Sequence, residues 1–185
     1  PWSLTSEAPA IVAKLLAALD PADFTRHDGS AIHRSATVEP GAVIKPPAII
    51  GPDCFVAAGG YLRGGTWLDR GVIIGPGGEL KSSFLFARTK LAHFNFVGDS
   101  ILGEEVNLEA GSIIANYRNE RADKQIRVRI DGRLTDTGID KFGALVGDSA
   151  RIGANAVLAP GTVISPGQVI PRLALVDQES DTISG

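Results

Sequence analysis

The chain has 185 residues, a formal net charge of −3 and one cysteine, Cys54. That length suffices for one domain with a buried core. The slight acidity leaves no basic footprint for nucleic acid, and a lone thiol cannot form an internal disulfide. No apolar run is long enough to span a membrane, and the first residues lack the pattern of a secretory signal. A soluble, cytoplasmic protein is expected.

Residues 1–29 are expected to form an N-terminal helical cap. The segment from Ser6 to Leu19 has helical spacing at Ile11, Leu15, Leu16 and Leu19, with Ser6 as N-cap and Glu7 and Pro9 in the first turn. Such a helix can shield the open end of a repeat fold; the other reading is a linker to a further domain.

From residue 30 a strict rhythm begins. Ile32, Val38, Ile44, Ile50, Val56, Leu62, Leu68, Ile74, Leu80 and Phe86 fall six apart. A helix repeats its apolar face every three or four residues, and a half-buried strand every two. A six-residue period with turn formers between reads as a hexapeptide-repeat parallel β-helix, three hexads to a triangular coil. Turns such as Glu39-Pro40-Gly41 and Ala159-Pro160-Gly161 supply the corners. The rhythm returns at Leu102, Leu108 and Ile114, so the coil is expected to be irregular between Ala87 and Ser100. Residues 117–142 break it again. There Ile126-Arg127-Val128-Arg129-Ile130 followed by Asp131-Gly132 predicts a two-stranded excursion with a tight turn. Val146, Ile152, Leu158, Ile164 and Ile170 resume the coils, which are expected to end at Pro171, leaving 172–185 as a polar tail.

Eighteen residues return the chain to the same face, one strand spacing on, about 4.8 Å. Lys45, Arg63 and Lys81 are eighteen apart and each follows an inward residue. They should stack as an outward column of cations, unfavourable in water by about 1 kcal/mol per unpaired pair. Either carboxylates and solvent screen them, or they form a site for a phosphate or carboxylate. His93 lies twelve residues beyond Lys81 and should occupy the equivalent hexad position on another face.

The run AHFNFVGDSILGEEVNLEAGSIIANY (residues 92–117), with GGYLRGG and GGELKSS before it and DKFGALVGDSARIGANAVLAP after it, resembles the acetyltransferase domain of the bifunctional enzyme that makes UDP-N-acetylglucosamine. The resemblance covers about residues 50–165. It implies a left-handed all-β parallel β-helix, assembled as a homotrimer with active sites between subunits. It also implies acetyl-CoA as acyl donor, no metal in the chemistry, and an amino sugar or amino-sugar phosphate as acceptor. By resemblance His93 is the general base, which suits a residue whose neutral ring accepts a proton near pH 7. Arg63, Lys81, Asn107 and Lys141 would hold the sugar and its phosphate, with Lys124 as a competitor for the last role. Ala110, Asn116, Tyr117 and Ala154 would line the donor site. The chain departs from that pattern at Phe96, where the family has a tyrosine, at Ala154 in place of a hydroxyl, and at Arg118-Asn119 in place of Asp-Gly. The coils are also expected to stop early, without the family's basic tail, and to lack a uridine-binding segment before them. Phe96 therefore points to an acceptor other than glucosamine 1-phosphate. A non-catalytic sugar-nucleotide-binding partner of a nucleotidyltransferase is the alternative. A zinc site of the three-histidine type would need His27, His33 and His93 together.

Overall fold

Strands of two to four residues, each ended by a turn, wind the chain into a triangular parallel β-helix. The computed structural model describes residues 1–180 and the backbone of residues 182–184. Three sheets form the sides. Sheet A runs from Phe24–His27 to Thr162–Ile164, sheet B from Thr37–Val38 to Val169–Ile170, and sheet C from Val43–Ile44 to Thr182–Ser184. Ile44, Leu62 and Leu80 stack in register in sheet C, as do Ile50 and Leu68 in sheet A and Val56 and Ile74 in sheet B. These inward columns merge into one buried core. Each buried aliphatic side chain contributes about 1.5–3 kcal/mol relative to exposure.

The six-residue series holds to Leu80 and then slips by one. Leu85, not Phe86, pairs with Leu68 and is fully buried, while Phe86 is 39% exposed and edge-on to Trp67. The cause is a shortened corner at Ser82-Ser83. Ser82 takes a left-handed φ of 46°, and Ser83 Oγ donates to the Lys81 carbonyl at 2.7 Å, closing the turn one residue early. The next coil repeats the device: Asp99 has φ 46°, and Ser100 Oγ donates to Gly98 O at 2.7 Å. The two corners are joined where the Ser100 N–H donates to Ser83 Oγ at 3.1 Å. Hence Val97 stacks on Leu80 and Leu102 on Leu85, seventeen residues on in each case. Within residues 87–100, expected to be irregular, the coil is regular with Leu91 and Val97 inward, and the irregularity is confined to the Asp99-Ser100 corner.

The N-terminus carries two helices, α1 (Trp2–Ser6) and α2 (Ala8–Ala18), rather than one. Ser6 ends α1, its Oγ donating to Ser3 O, and Glu7 rather than Ser6 is the N-cap of α2. Ala8, Val12 and Leu16 form the buried stripe; Leu15 is exposed. Val12 and Leu16 pack on Ala31 and Ile49, with Trp67 and Phe84 at the rim. So α2 lies along the flank of sheet A instead of across the open end. The first strand, Phe24–His27, pairs antiparallel with Ser30–His33, so sheet structure starts inside the segment expected to be helical cap.

The excursion is a hairpin, Arg127–Ile130 with Arg133–Asp136, turning at Asp131 and Gly132, both with positive φ. It too covers sheet A: Ile126, Val128 and Phe142 bury against Trp2, Ile139, Leu145 and Val163. The coils do not end at Pro171. Leu175–Asp177 adds to Val157–Leu158, with Val176 buried inward. The polar tail thus begins later than expected, and its residues Asp181 and Gly185 lie outside the described residues.

This register predicts that Leu85→Ala costs about 2–5 kcal/mol in urea unfolding, and Phe86→Ala less than about 1 kcal/mol. The reverse ranking would contradict it.

Candidate active site

Lys45, Arg63 and Lys81 do stack on successive coils, and Arg63 and Lys81 are paired with carboxylates. Arg63 Nη1 lies 3.2 Å from Glu79 Oε1. Lys81 Nζ donates to both oxygens of Asp99, at 2.7 and 2.9 Å. Glu79 sits one residue before inward Leu80, so it shares the outer face with the cations. Asp99 arrives because the seventeen-residue coil sets Gly98 against Lys81 and leaves Asp99 at the corner. Gly98 leaves room for Asn116, whose Nδ2 would lie 2.6 Å from a Cβ there, and this nitrogen donates to Asp99 Oδ2.

Arg63, Lys81, Phe96, Asn116, Tyr117, Asp140 and Lys141 line one cleft of about 370 Å³ at the corner between sheets C and A. Lys141 makes no ion pair among the described residues. Lys124 is elsewhere: its ammonium donates to the carbonyls of Arg118 and Asn119 and sits 5.2 Å from the Tyr117 ring centre. It staples the insertion's loop and does not line the cleft.

His93 is not in this cleft. It follows inward Leu91 by two residues rather than one, which puts it in the exposed turn at the opposite end of sheet C. Six residues of chain, spanning up to about 20 Å if extended, separate it from Asp99. Ala110 and Ala154 belong to the same edge as His93. The Gly111 N–H donates to His93 O, Asn155 N–H to Ala110 O, and Leu173 N–H to Ala154 O. Phe94, next to His93, is 72% exposed with φ 52° and lies over Gly77, where a Cβ would come within 2.6 Å of its ring. Buried Asn95 pins the turn, its Nδ2 donating to Glu109 O and Ser112 Oγ. Glu109 accepts the Ala154 N–H and both Nε and Nη2 of Arg172, and hydrogen bonding from Arg172 holds its carboxyl below the ordinary value. Asn107 lies on sheet B beside Arg151, away from the cleft.

The residues singled out from the sequence therefore fall into two separate groups: Arg63, Lys81, Asn116, Tyr117 and Lys141 at one corner, His93, Ala110 and Ala154 at another. Glu79, Asp99 and Asp140 were not anticipated from the sequence. The three histidines do not converge, since His27 and His33 sit in the first two strands of sheet A. Burial pushes the Cys54 thiol up to about 11, and its Sγ donates to Asp69 O, so it is no nucleophile at neutral pH.

The fold is that of the hexapeptide transferases. A hexapeptide transferase family protein from Anaplasma phagocytophilum superposes with a TM-score of 0.58 at 14% identity, over 83% of this chain and 76% of that one. In sequence the chain is 38% identical over 80 residues to a bifunctional sugar-1-phosphate nucleotidylyltransferase/acetyltransferase of Sulfurisphaera tokodaii, covering 43% of this chain and 20% of the relative. It is 36% identical over 86 residues to the bifunctional protein GlmU of Methanococcus maripaludis, covering 46% and 20%. The matches fall in the acetyltransferase region of these relatives. The chain spans about a fifth of their length. No family model matches it.

Beside the cleft, Arg118 anchors the insertion. Its side chain is only 4% exposed, donates to both oxygens of Asp177 at 2.7 and 2.8 Å, and donates to Pro160 O. Arg121 and Arg127 both pair with Glu179. Hydrogen bonding from Arg118 holds the Asp177 carboxyl below its ordinary value. Burial works to raise Glu179, but hydrogen bonds from Arg121 and Arg127 outweigh it and hold that carboxyl low as well. A depressed folded value means the stabilisation is present above the unfolded carboxylate range and is lost as pH falls through the folded value. Asp177→Asn should therefore cost about 2 kcal/mol at pH 7, less than a fully buried pair because Asp177 is partly exposed. In urea unfolding that difference from wild type should shrink below about pH 4; a gap undiminished at pH 3 contradicts the clamp.

Proposed function

We propose that the chain is a CoA-dependent N-acyltransferase, with acetyl as the transferred group, acting on an amino sugar or amino-sugar phosphate. The observation that carries this reading is the gathering of Arg63, Lys81, Asn116, Tyr117 and Lys141 around one cleft. The acetyltransferase relatives support it. Arg63 and Lys141 supply the cleft's attraction for a sugar phosphate, with Lys81 as a fixed hydrogen-bond donor.

In the proposed reaction the acceptor amine attacks the thioester carbonyl of acetyl-CoA. A C–N bond forms and the C–S bond breaks. His93 takes the proton lost by the nitrogen and returns it to the departing sulfur, so the products are the N-acetyl sugar and free CoA. An ammonium has no lone pair to attack with, so this proton acceptor is required.

His93 and the cleft lie at opposite ends of sheet C, so the complete site is proposed to form between copies of a homotrimer. The outward residues of sheet C support such an assembly. Val43 and Tyr61, then beyond Glu79 the residues Phe96, Ile113, Val157 and Leu175, line the axis with apolar side chains broken by that one carboxylate, and Val43, Tyr61 and Leu175 are well exposed. Ala110 and Ala154 share the edge of His93 and would flank the acyl donor there. Asn107 has no place in the cleft of the same copy. Phe96 lines that cleft with no hydroxyl to offer, which favours an acceptor other than glucosamine 1-phosphate.

One observation favours the second reading, a non-catalytic sugar-nucleotide-binding partner of a nucleotidyltransferase: two of the cleft's three cations are already paired with carboxylates. Free-thiol release from acetyl-CoA, screened across amino sugars, their 1-phosphates and nucleotide-linked forms, separates the two. At least one acceptor should support release, and His93→Ala should lower kcat by about 10²–10⁴-fold with the oligomer intact. Sugar-nucleotide binding without thiol release from any acceptor would decide for the second reading.

A further inference from the structure

We propose that Asp99 is a positioning residue that couples the two ligands of this site by holding Lys81 and Asn116 as one unit. The inference rests on the acyltransfer reading above, in which Lys81 meets the acceptor and Asn116 the acyl donor.

Asp99 is itself only 3% exposed and sits on a rigid corner. Its N–H donates to Lys81 O at 2.8 Å, and its carbonyl accepts the Gly143 N–H at 2.9 Å. A left-handed φ at a residue with a side chain is tolerated here because both backbone groups are bonded to neighbouring coils. Both carboxylate oxygens face Lys81 Nζ, and Oδ2 also takes the Asn116 amide nitrogen. A carboxylate only accepts, so the Asn116 amide must turn its NH2 inward and its carbonyl toward the cleft. The group that meets Asn116 from the ligand side is therefore a donor, such as an amide N–H or a hydroxyl. Lys81, an otherwise flexible side chain, is left with its remaining donor capacity aimed in one direction. Moving either side chain disturbs the other through the shared carboxylate.

This role differs in sign from a purely electrostatic one. Removing a negative charge beside a phosphate would, by Coulomb attraction alone, tighten sugar-phosphate binding. Loss of placement weakens it, because small displacements in a preorganised site cost large factors.

The test measures, separately and by calorimetry, binding of CoA and of the amino-sugar phosphate or nucleotide-linked amino sugar that supports the most thiol release in the screen above, with folding followed by thermal unfolding. Asp99→Asn, which keeps the shape, should weaken both ligands about tenfold. Lys81→Ala should weaken CoA as well as the sugar phosphate in the wild-type background, and should leave CoA unaffected further in the Asp99→Asn background. Tighter or unchanged sugar-phosphate binding in Asp99→Asn overturns the proposal, as does a lowered unfolding temperature with both affinities intact. If Asp99→Asn fails to fold, Lys81→Ala alone decides, and unchanged CoA affinity overturns the coupling. A wild-type protein that releases thiol with none of the screened acceptors overturns the functional reading and the proposal with it; one that does release it leaves that reading standing whatever Asp99 does.

Discussion

Everything in this molecule hangs on the parallel stacking of coils at one strand spacing, about 4.8 Å. Inward aliphatic columns such as Ile44-Leu62-Leu80-Val97-Ile114-Leu158-Val176 fix the register, because a one-residue slip would turn the buried set to solvent. Once the register is fixed, so is every outward neighbour. Arg63 must lie beside Lys81, and Asp99 must meet both Lys81 and Asn116. The site is a consequence of the stack rather than of a flexible loop closing on it.

The same constraint explains why the three sides differ. Sheet A carries apolar residues outward as well as inward, and α2 and the inserted hairpin cover them. Sheet C keeps its outward apolar residues and receives no helix. The insertion does two things at once. Its hairpin buries Val128 and Ile126 against sheet A, and its return, Asp140-Lys141, forms one wall of the cleft. Arg118 links it to Asp177 and Glu179 at the last coil, so the C-terminal strand and the cleft wall are mechanically joined.

The fold was legible because a six-residue apolar period has one physical solution, and the hairpin was legible from its alternation and Asp-Gly turn. The slip to Leu85 was not, because Phe86 also satisfies the period. What decides between them is the pair of serine corners at Ser83 and Ser100, whose hydroxyls replace a residue of backbone. The cation column was readable from spacing alone. Its counterions were not picked out, although Asp99 is the next eighteen-residue step after Lys81; the seventeen-residue coil moves it one position on, to the corner, from where it still reaches the lysine. His93 was mistaken by one position for the same reason: counted from Leu91 it is a corner residue. The helix at the N-terminus was read correctly in kind, but its buried stripe of Ala8, Val12 and Leu16 could be seen only against sheet A.

The central claim is that two half-sites on one chain become one active site between copies. Mixing two inactive variants tests it most directly. His93→Ala keeps the cleft and Lys81→Ala keeps the histidine edge, so hybrids reassembled at random from equal amounts should carry about a quarter of their sites with both halves intact. Thiol release should return to roughly that fraction of the wild-type rate after subunit exchange. If the mixture stays as inactive as its parents although exchange is complete, the site lies within a single chain and the account is wrong.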